Sequence, residues 1–249
     1  MLKGRNALVV GASGGIGRAV ALSLAEAGAR VAIAGRARER LAETEAALAA
    51  AGVTDAPVLT GDVTVREEVS AMIAGAVAAL GSIHVLVNAA GVNVRNRSLR
   101  TLDPADWDRV IAANLTAAFN LVHFVAPHMR EQGDGLVVLI SSLAGLRAST
   151  VAGAAYSASK FGEAALGLCL GREERGRNVR STVIYPGEVD TPFLDVRAAR
   201  PGGAEGKLQR REGILKPEDV AAAVRFVAEL PARAHVPELV IKPTIDDFS

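Results

Sequence analysis

Asn6-Ala7-Leu8-Val9-Val10 runs without a break into Gly11-Ala12-Ser13-Gly14-Gly15-Ile16-Gly17, and Arg18 to Ala27 follows with a helical pattern closed by Gly28. The short apolar run reads as a strand buried on both faces. A strand that turns through glycines into a helix is the opening of a dinucleotide-binding unit. The glycines let the turn be tight and let phosphates approach the backbone, while the helix N-terminus offers N–H groups and partial positive charge to a pyrophosphate. The glycines at 11, 15 and 17 are spaced Gly-x-x-x-Gly-x-Gly, not the commoner Gly-x-Gly-x-x-Gly. A glycine cluster alone is also compatible with an ordinary turn. Its place between a strand and a helix favours the nucleotide-binding reading.

Downstream the pattern alternates. Strands are expected at Arg30–Gly35, Ala56–Thr60, His84–Asn88, Leu136–Ser141, Val179–Tyr185 and Glu238–Lys242. Helices are expected at Ala37–Ala51, Val65–Leu80, Pro104–Asn114, Ala117–Gln132, Ala155–Arg175 and Pro217–Leu230. Such alternation predicts a single α/β domain over residues 1–249: a doubly wound, mostly parallel seven-stranded sheet of the Rossmann type with helices on both faces. Ligands of such sheets sit at the carboxyl ends of the strands.

In Tyr156-Ser157-Ala158-Ser159-Lys160 a tyrosine and a lysine stand one helical turn apart on the same face. An ammonium held near a phenol favours the phenolate, so the hydroxyl can exchange a proton with an alcohol or carbonyl. The spacing alone also fits an exposed amphipathic pair. Together with the glycine-rich turn, it belongs to a series: Asp62-Val63, Asn88-Ala89-Ala90-Gly91, Asn114, Ser142, Tyr156-x-x-x-Lys160 and Pro186-Gly187. In this series and order the chain resembles the short-chain dehydrogenase/reductase family, in its short single-domain branch, from residue 5 to about 243. Val10 stands where that family often has threonine.

The resemblance implies an NAD(P)-dependent oxidoreductase that moves a hydride between the nicotinamide cofactor and a carbonyl or secondary alcohol. Gly11, Ser13, Gly15, Ile16 and Gly17 are then candidate cofactor contacts, with Asp62 on the adenine amino group and the Val63 backbone beside it. Asp62 reads alternatively as the N-cap of the following helix, a role open to Thr64 as well. Asn88, Ala89 and Gly91 would line the adenosine ribose side. After the second strand, Gly35 occupies the place of the acidic residue that selects NAD, and Arg36 follows it. A guanidinium grips a phosphate bidentately, so NADP(H) is favoured over NAD(H), unless Arg36 and Arg38 are simply solvated at a helix start. Ser142, three before Gly145, is preferred to Ser141 as the hydroxyl that bonds the substrate oxygen. Tyr156 would be the general acid/base, Lys160 would hold the nicotinamide ribose, and Asn114 would keep a water beside Lys160. Pro186, Gly187, Val189 and Thr191 would meet the nicotinamide end, Thr191 at its carboxamide.

Composition excludes other classes. Twenty-eight basic and 27 acidic residues give a net charge of +1, without the footprint of a nucleic-acid or membrane-surface protein. The lone Cys169 excludes an internal disulfide, suits a reducing compartment and reads as a core residue. The four histidines, 84, 123, 128 and 235, show no metal-ligand spacing, and no metal is expected. Residues 1–6 lead directly into the first strand without the apolar core of a signal peptide, and no stretch reads as a membrane span, so the expected location is cytoplasmic. Residues 193–214 occupy the place of the family's substrate lid. Its Arg197, Arg200, Lys207, Arg210 and Arg211, with Arg95, Arg97 and Arg100 after Gly91, outline a basic rim or a solvated lid. A basic rim suits a small 3-oxo or 3-hydroxy acid, or an acyl group on an acidic carrier as in 3-oxoacyl-carrier-protein reductases. The ending Leu230–Ile241 resembles members that act on 3-hydroxy acids and small carbonyls. A non-catalytic NADP-binding sensor is the rival class, disfavoured because Asn114, Ser142, Tyr156 and Lys160 are all present. The helices 117–132 and 155–175 are apolar on more than one side, which predicts a homo-oligomer, a tetramer in preference to a dimer.

Overall fold

Side chains alternate along a strand, so a strand covered on both faces must be apolar throughout. Ala7 and Val9 of the first strand pack into one cluster and Leu8 and Val10 into another, on opposite sides of the sheet. The computed structural model describes residues 1–194 and 212–245. Strands β1 (Asn6–Val10), β2 (Arg30–Gly35), β3 (Val58–Thr60), β4 (Val85–Asn88), β5 (Gly135–Ile140), β6 (Val179–Pro186) and β7 (Glu238–Ile241) form one sheet. Its order is β3-β2-β1-β4-β5-β6-β7 and every pairing is parallel. The helices are α1 (Gly15–Glu26), α2 (Arg38–Ala50), α3 (Arg66–Leu80), α4 (Pro104–Ile111), α5 (Ala117–Gln132), α6 (Ala154–Glu173) and α7 (Pro217–Glu229). Helices α1, α2 and α7 cover the Val9 face; α3, α5 and part of α6 cover the Leu8 face. The chain runs outward from β1 to β3, then returns to place β4 on the other side of β1. That reversal opens a crevice at the carboxyl ends of β1 and β4.

The expected strands are all present. The third begins at Val58, because Pro57 has no N–H for the ladder, although its carbonyl still accepts from the Ile33 amide at 2.9 Å. The expected helices at 104–114 and 117–132 are one continuous run, joined by a π-helical turn at Ala112–Thr116. The joined helix Pro104–Gln132 is long and apolar enough to span a bilayer by length and composition, contrary to the sequence expectation. Half of its apolar window is buried inside the protein, where α5 covers the sheet. Cys169 is not a core residue: it is exposed, on the stripe of α6 that also carries exposed Phe161 and Ala165, four residues apart.

Candidate active site

The glycine-rich turn is held by backbone and by a neighbouring helix. The amides of Gly11 and Ala12 both donate to the Ala34 carbonyl, at 2.9 and 3.1 Å. The Thr44 hydroxyl of α2 donates to the Ala12 carbonyl at 2.7 Å and accepts from Arg18 Nε at 3.1 Å. This supplies a side-chain tie to a turn in which Val10 offers none. Gly11 has φ +80°, and a β-carbon there would stand 2.6 Å from the Ala90 nitrogen. Helix α1 starts at Gly15 behind Gly14, which gives it no side-chain cap. Its first N–H groups are thus left for another acceptor, and the turn opens onto a cleft of about 410 Å³. This cradle fits a dinucleotide's pyrophosphate.

Gly11, Ser13, Gly15 and Ile16 line the middle of the cleft, and Arg36, Asp62 and Val63 line one end. Asp62 is not an N-cap. Nor is Thr64: Val65 holds that place, and Asp62 instead accepts from the Thr64 amide and hydroxyl at 2.9 and 2.8 Å. Burial works to raise the Asp62 carboxyl, but Thr64 and Arg36 outweigh it and hold it below the usual carboxylate range. Arg36 Nη1 lies 3.7 Å from Asp62 Oδ2, an exposed contact that contributes little to stability. Sequence reasoning missed Arg40. Its guanidinium lines the cleft over Gly14, 3.2 Å from where a β-carbon at residue 14 would stand.

Ser142, Tyr156 and Lys160 meet at the other end of the cleft. The two serines are separated by their partners. The Ser141 hydroxyl donates to the Lys160 carbonyl at 3.0 Å, whereas among the described residues Ser142 Oγ accepts only the Ala144 amide, at 3.2 Å. Lys160 Nζ lies 5.9 Å from the centre of the Tyr156 ring. That ring packs against Phe193, the first residue of the expected lid, centroid to centroid 5.7 Å, and Phe193 also lines the cleft. Pro186, Gly187, Val189 and Thr191 form the wall that faces the turn, and Thr191 packs closely on Gly15.

Three expected site residues do not line the cleft. Gly17 is inside α1, where it lets the helix lie against Gly11. Asn88 is buried beneath its loop: Oδ1 accepts from the Ala90 amide at 3.2 Å and Nδ2 donates to Glu163 Oε1 at 3.1 Å. Its side chain therefore shapes the Ala89–Gly91 loop and does not line the cleft. Asn114 is fully buried in the π turn; Oδ1 accepts from the Val92 amide at 2.7 Å, and Nδ2 donates to the Val92 carbonyl and Ser159 Oγ, each at 3.0 Å. Gly91 borders both Asn114 Oδ1 and Lys160 Nζ.

Burial penalises the charge on Lys160, but the Glu163 carboxylate and Tyr156 outweigh it and hold the ammonium above its ordinary range. Lys160 Nζ donates to Glu163 Oε2 at 2.6 Å and to the Ile140 carbonyl at 2.8 Å. Arg97 does not belong to a basic rim: it is buried under Gly153 and donates to the carbonyls of Val94 and Arg95. The expected lid residues Asp195 to Arg211 lie outside the described residues, so the basic side chains at 197, 200, 207, 210 and 211 are not placed.

Comparison with known proteins gives one family. The short chain dehydrogenase family matches residues 5–201. The chain is 34% identical over 232 residues to the 3-oxoacyl-[acyl-carrier-protein] reductase FabG of Thermotoga maritima, covering 91% of each chain. It is 35% identical over 246 residues to the glycine betaine reductase ATRR of Emericella nidulans, covering 97% of this chain but only 19% of that longer protein. A crystal structure of a metagenomic short-chain oxidoreductase in complex with NADP superposes with a TM-score of 0.81 at 34% identity, over 98% of this chain and 99% of the other.

Proposed function

The chain belongs to the short-chain dehydrogenase/reductase family, and from that premise we propose that it is an NADP(H)-preferring enzyme that interconverts a small 3-oxo acid or ketone and its secondary alcohol. The observation that carries this reading is the convergence of Ser142, Tyr156 and Lys160 at one end of a cleft whose middle is the uncapped, glycine-rich start of α1. A bound nicotinamide supplies or accepts the hydride. Ser142 Oγ hydrogen-bonds the substrate oxygen and fixes its position. In reduction the Tyr156 hydroxyl gives that oxygen a proton as its carbon gains the hydride; in oxidation the phenolate takes the proton back. Lys160 Nζ and Asn114 Oδ1 both border Gly91, and a water held beside them would return the proton to solvent. Thr191 and the Val189 backbone face the nicotinamide end. A panel of 3-oxo acids, 3-hydroxy acids and simple ketones with each cofactor tests the proposal. NADPH binding without turnover of any of them would point to a sensor. A second reading, 3-oxoacyl-carrier-protein reduction, draws support from the Thermotoga relative. Acetoacetyl groups on a carrier protein turned over far faster than free acetoacetate would favour it.

Preference for NADP rests on Arg36 and Arg40, which flank the end of the cleft beside Asp62. Arg36 gives up little when it leaves Asp62 for a phosphate. Arg36→Asp is expected to weaken NADP binding about ten- to a hundredfold, the range for losing a charge-assisted contact, and NAD binding less. Arg40→Ala is expected to lower the same ratio by a smaller factor. An unchanged ratio of NADP to NAD efficiency in both variants would make these arginines mere surface residues.

The same reading includes a homo-oligomer, a tetramer in preference to a dimer, in a reducing cytoplasm that suits the lone Cys169. Phe119 of α5 and Phe161 of α6 are each 42% exposed on the sides of their helices turned away from the sheet. Pairing these faces about a two-fold axis buries them. Sedimentation at micromolar concentration is expected to show a species of at least twice the chain mass, and a monomer would sink the idea.

A further inference from the structure

Glu163 stands one turn beyond Lys160 on α6 and is 0% exposed. A carboxylate so buried survives only with partners, and each oxygen has one: Oε2 accepts from Lys160 Nζ at 2.6 Å and Oε1 from Asn88 Nδ2 at 3.1 Å. With the Ile140 carbonyl at 2.8 Å, two of the three ammonium protons of Lys160 are taken. The proposed reaction assigns Glu163 no part, yet it forms the shortest contact the catalytic lysine makes.

We propose that Glu163 is a positioning residue that draws the charge of Lys160 away from Tyr156, so that Tyr156 keeps its proton and the site is poised to donate it to a carbonyl. The inference rests on the reading of Tyr156 as the proton donor. A dry ammonium needs an anion nearby. Two side chains on its own helix can serve: Glu163, whose Oε2 lies 2.6 Å from Lys160 Nζ, and Tyr156, whose ring centre lies 5.9 Å away. On Glu163 the acting groups are Lys160 and the neutral Asn88 amide. Among the described residues, the neighbouring elements give the pair two neutral partners, the Asn88 amide from β4 and the Ile140 carbonyl from β5; Ser141, Ser142 and Asn114 bond other atoms, and on α4, which also packs on α6, Arg109 pairs with Asp106. Tyr185 of β6 packs on Ala164 but gives its hydroxyl to Glu238 at 2.6 Å. With Glu163 in place, the ammonium has its anion and Tyr156 stays a phenol. Without it, the Ile140 carbonyl still holds the ammonium, and the oxygen of Tyr156 is the side chain left on this helix to answer its charge. Asn88 extends the arrangement to the cofactor loop, because the amide that holds Glu163 also holds Ala90.

The test is an ultraviolet titration of phenolate in the intact protein. The chain has two tyrosines. Burial and Glu238 keep Tyr185 protonated far above the ordinary range, so the phenol that ionises first is Tyr156, and Tyr156→Phe must remove that signal. In Glu163→Gln, which keeps the shape and removes the charge, phenolate is expected to form about one pH unit lower than in the parent. Glu163→Asp, which keeps the charge but draws it back from Lys160, should fall between them. It also serves as the probe if Glu163→Gln does not fold. Phenolate formation at the parent pH in the variants would overturn the proposal, as would a loss of turnover that is uniform across pH without movement of the titration. If the titration moves but Tyr156→Phe turns over normally, the assignment of Glu163 stands and the catalytic role of Tyr156 falls.

Discussion

Tyr156→Phe is expected to lower turnover at least about a hundredfold, the range for losing a positioned general acid, with NADP(H) affinity close to that of the parent. The substitution removes one oxygen. The ring still packs against Phe193, and Lys160 is still held by Glu163 and the Ile140 carbonyl, so the cleft keeps its shape. The residual rate measures what hydride transfer achieves when the proton must come from water. Paired measurements of kcat and of NADPH fluorescence on binding separate the two effects. Near-parent turnover would remove Tyr156 from the mechanism.

Gly17→Ala is expected to be the most damaging glycine-to-alanine change among the described residues. A β-carbon at this position would stand 2.2 Å from the Gly11 carbonyl oxygen, 2.7 Å from the Gly11 carbonyl carbon and 3.0 Å from Ala12 Cα. All three are backbone atoms and cannot rotate away. Alanine gains about 1 kcal/mol in helix propensity over glycine, but overpacking costs about 1–3 kcal/mol or more, and a contact this short belongs at the upper end. To relieve it the turn must open, which moves the first N–H groups of α1 away from the pyrophosphate. Loss of thermal stability together with at least about a tenfold loss of NADPH affinity, roughly 1.4 kcal/mol, is the expected outcome. Parent-like affinity in the folded variant would show that this turn does not hold the cofactor.

The strands were legible because burial on both faces demands uninterrupted apolar runs, and β1, β4 and β5 carry them. The order of the sheet is set by long-range pairing and has no local signal; the alternation of strands and helices gave only its parallel, doubly wound character. The π turn was not legible: Asn114 and Thr116 looked like a break between helices, where the backbone instead widens without stopping. At the site, the residues whose side chains or backbone reach the cleft were found from motifs. Those motifs do not distinguish a residue that lines the cleft from one that shapes the loop lining it, and the Asn88 side chain and Gly17 lie outside the lining. Arg40 was missed because a basic residue in the first turns of an amphipathic helix resembles any solvated one. Glu163 was missed although its spacing from Lys160 puts it on the same face. Nothing in the local sequence says that this face is dry, and only burial turns an ordinary helix pair into an ion pair enclosed by the fold.

The hydroxyl of Thr44 has a consequence for how this protein can change. Helix α2 brings Arg40 to the cleft and Arg36 stands just before its start, and from the same helix Thr44 fastens the Ala12 carbonyl of the glycine-rich turn. Substitutions that reset the preferred nucleotide by tilting or replacing α2 also disturb the turn on which either nucleotide depends. Point changes at Arg36 and Arg40 leave that fastening alone. Cofactor preference is therefore free to drift by single side chains on the rim, whereas exchange of the whole helix with a relative's succeeds only if the incoming segment brings a hydroxyl to the same spot.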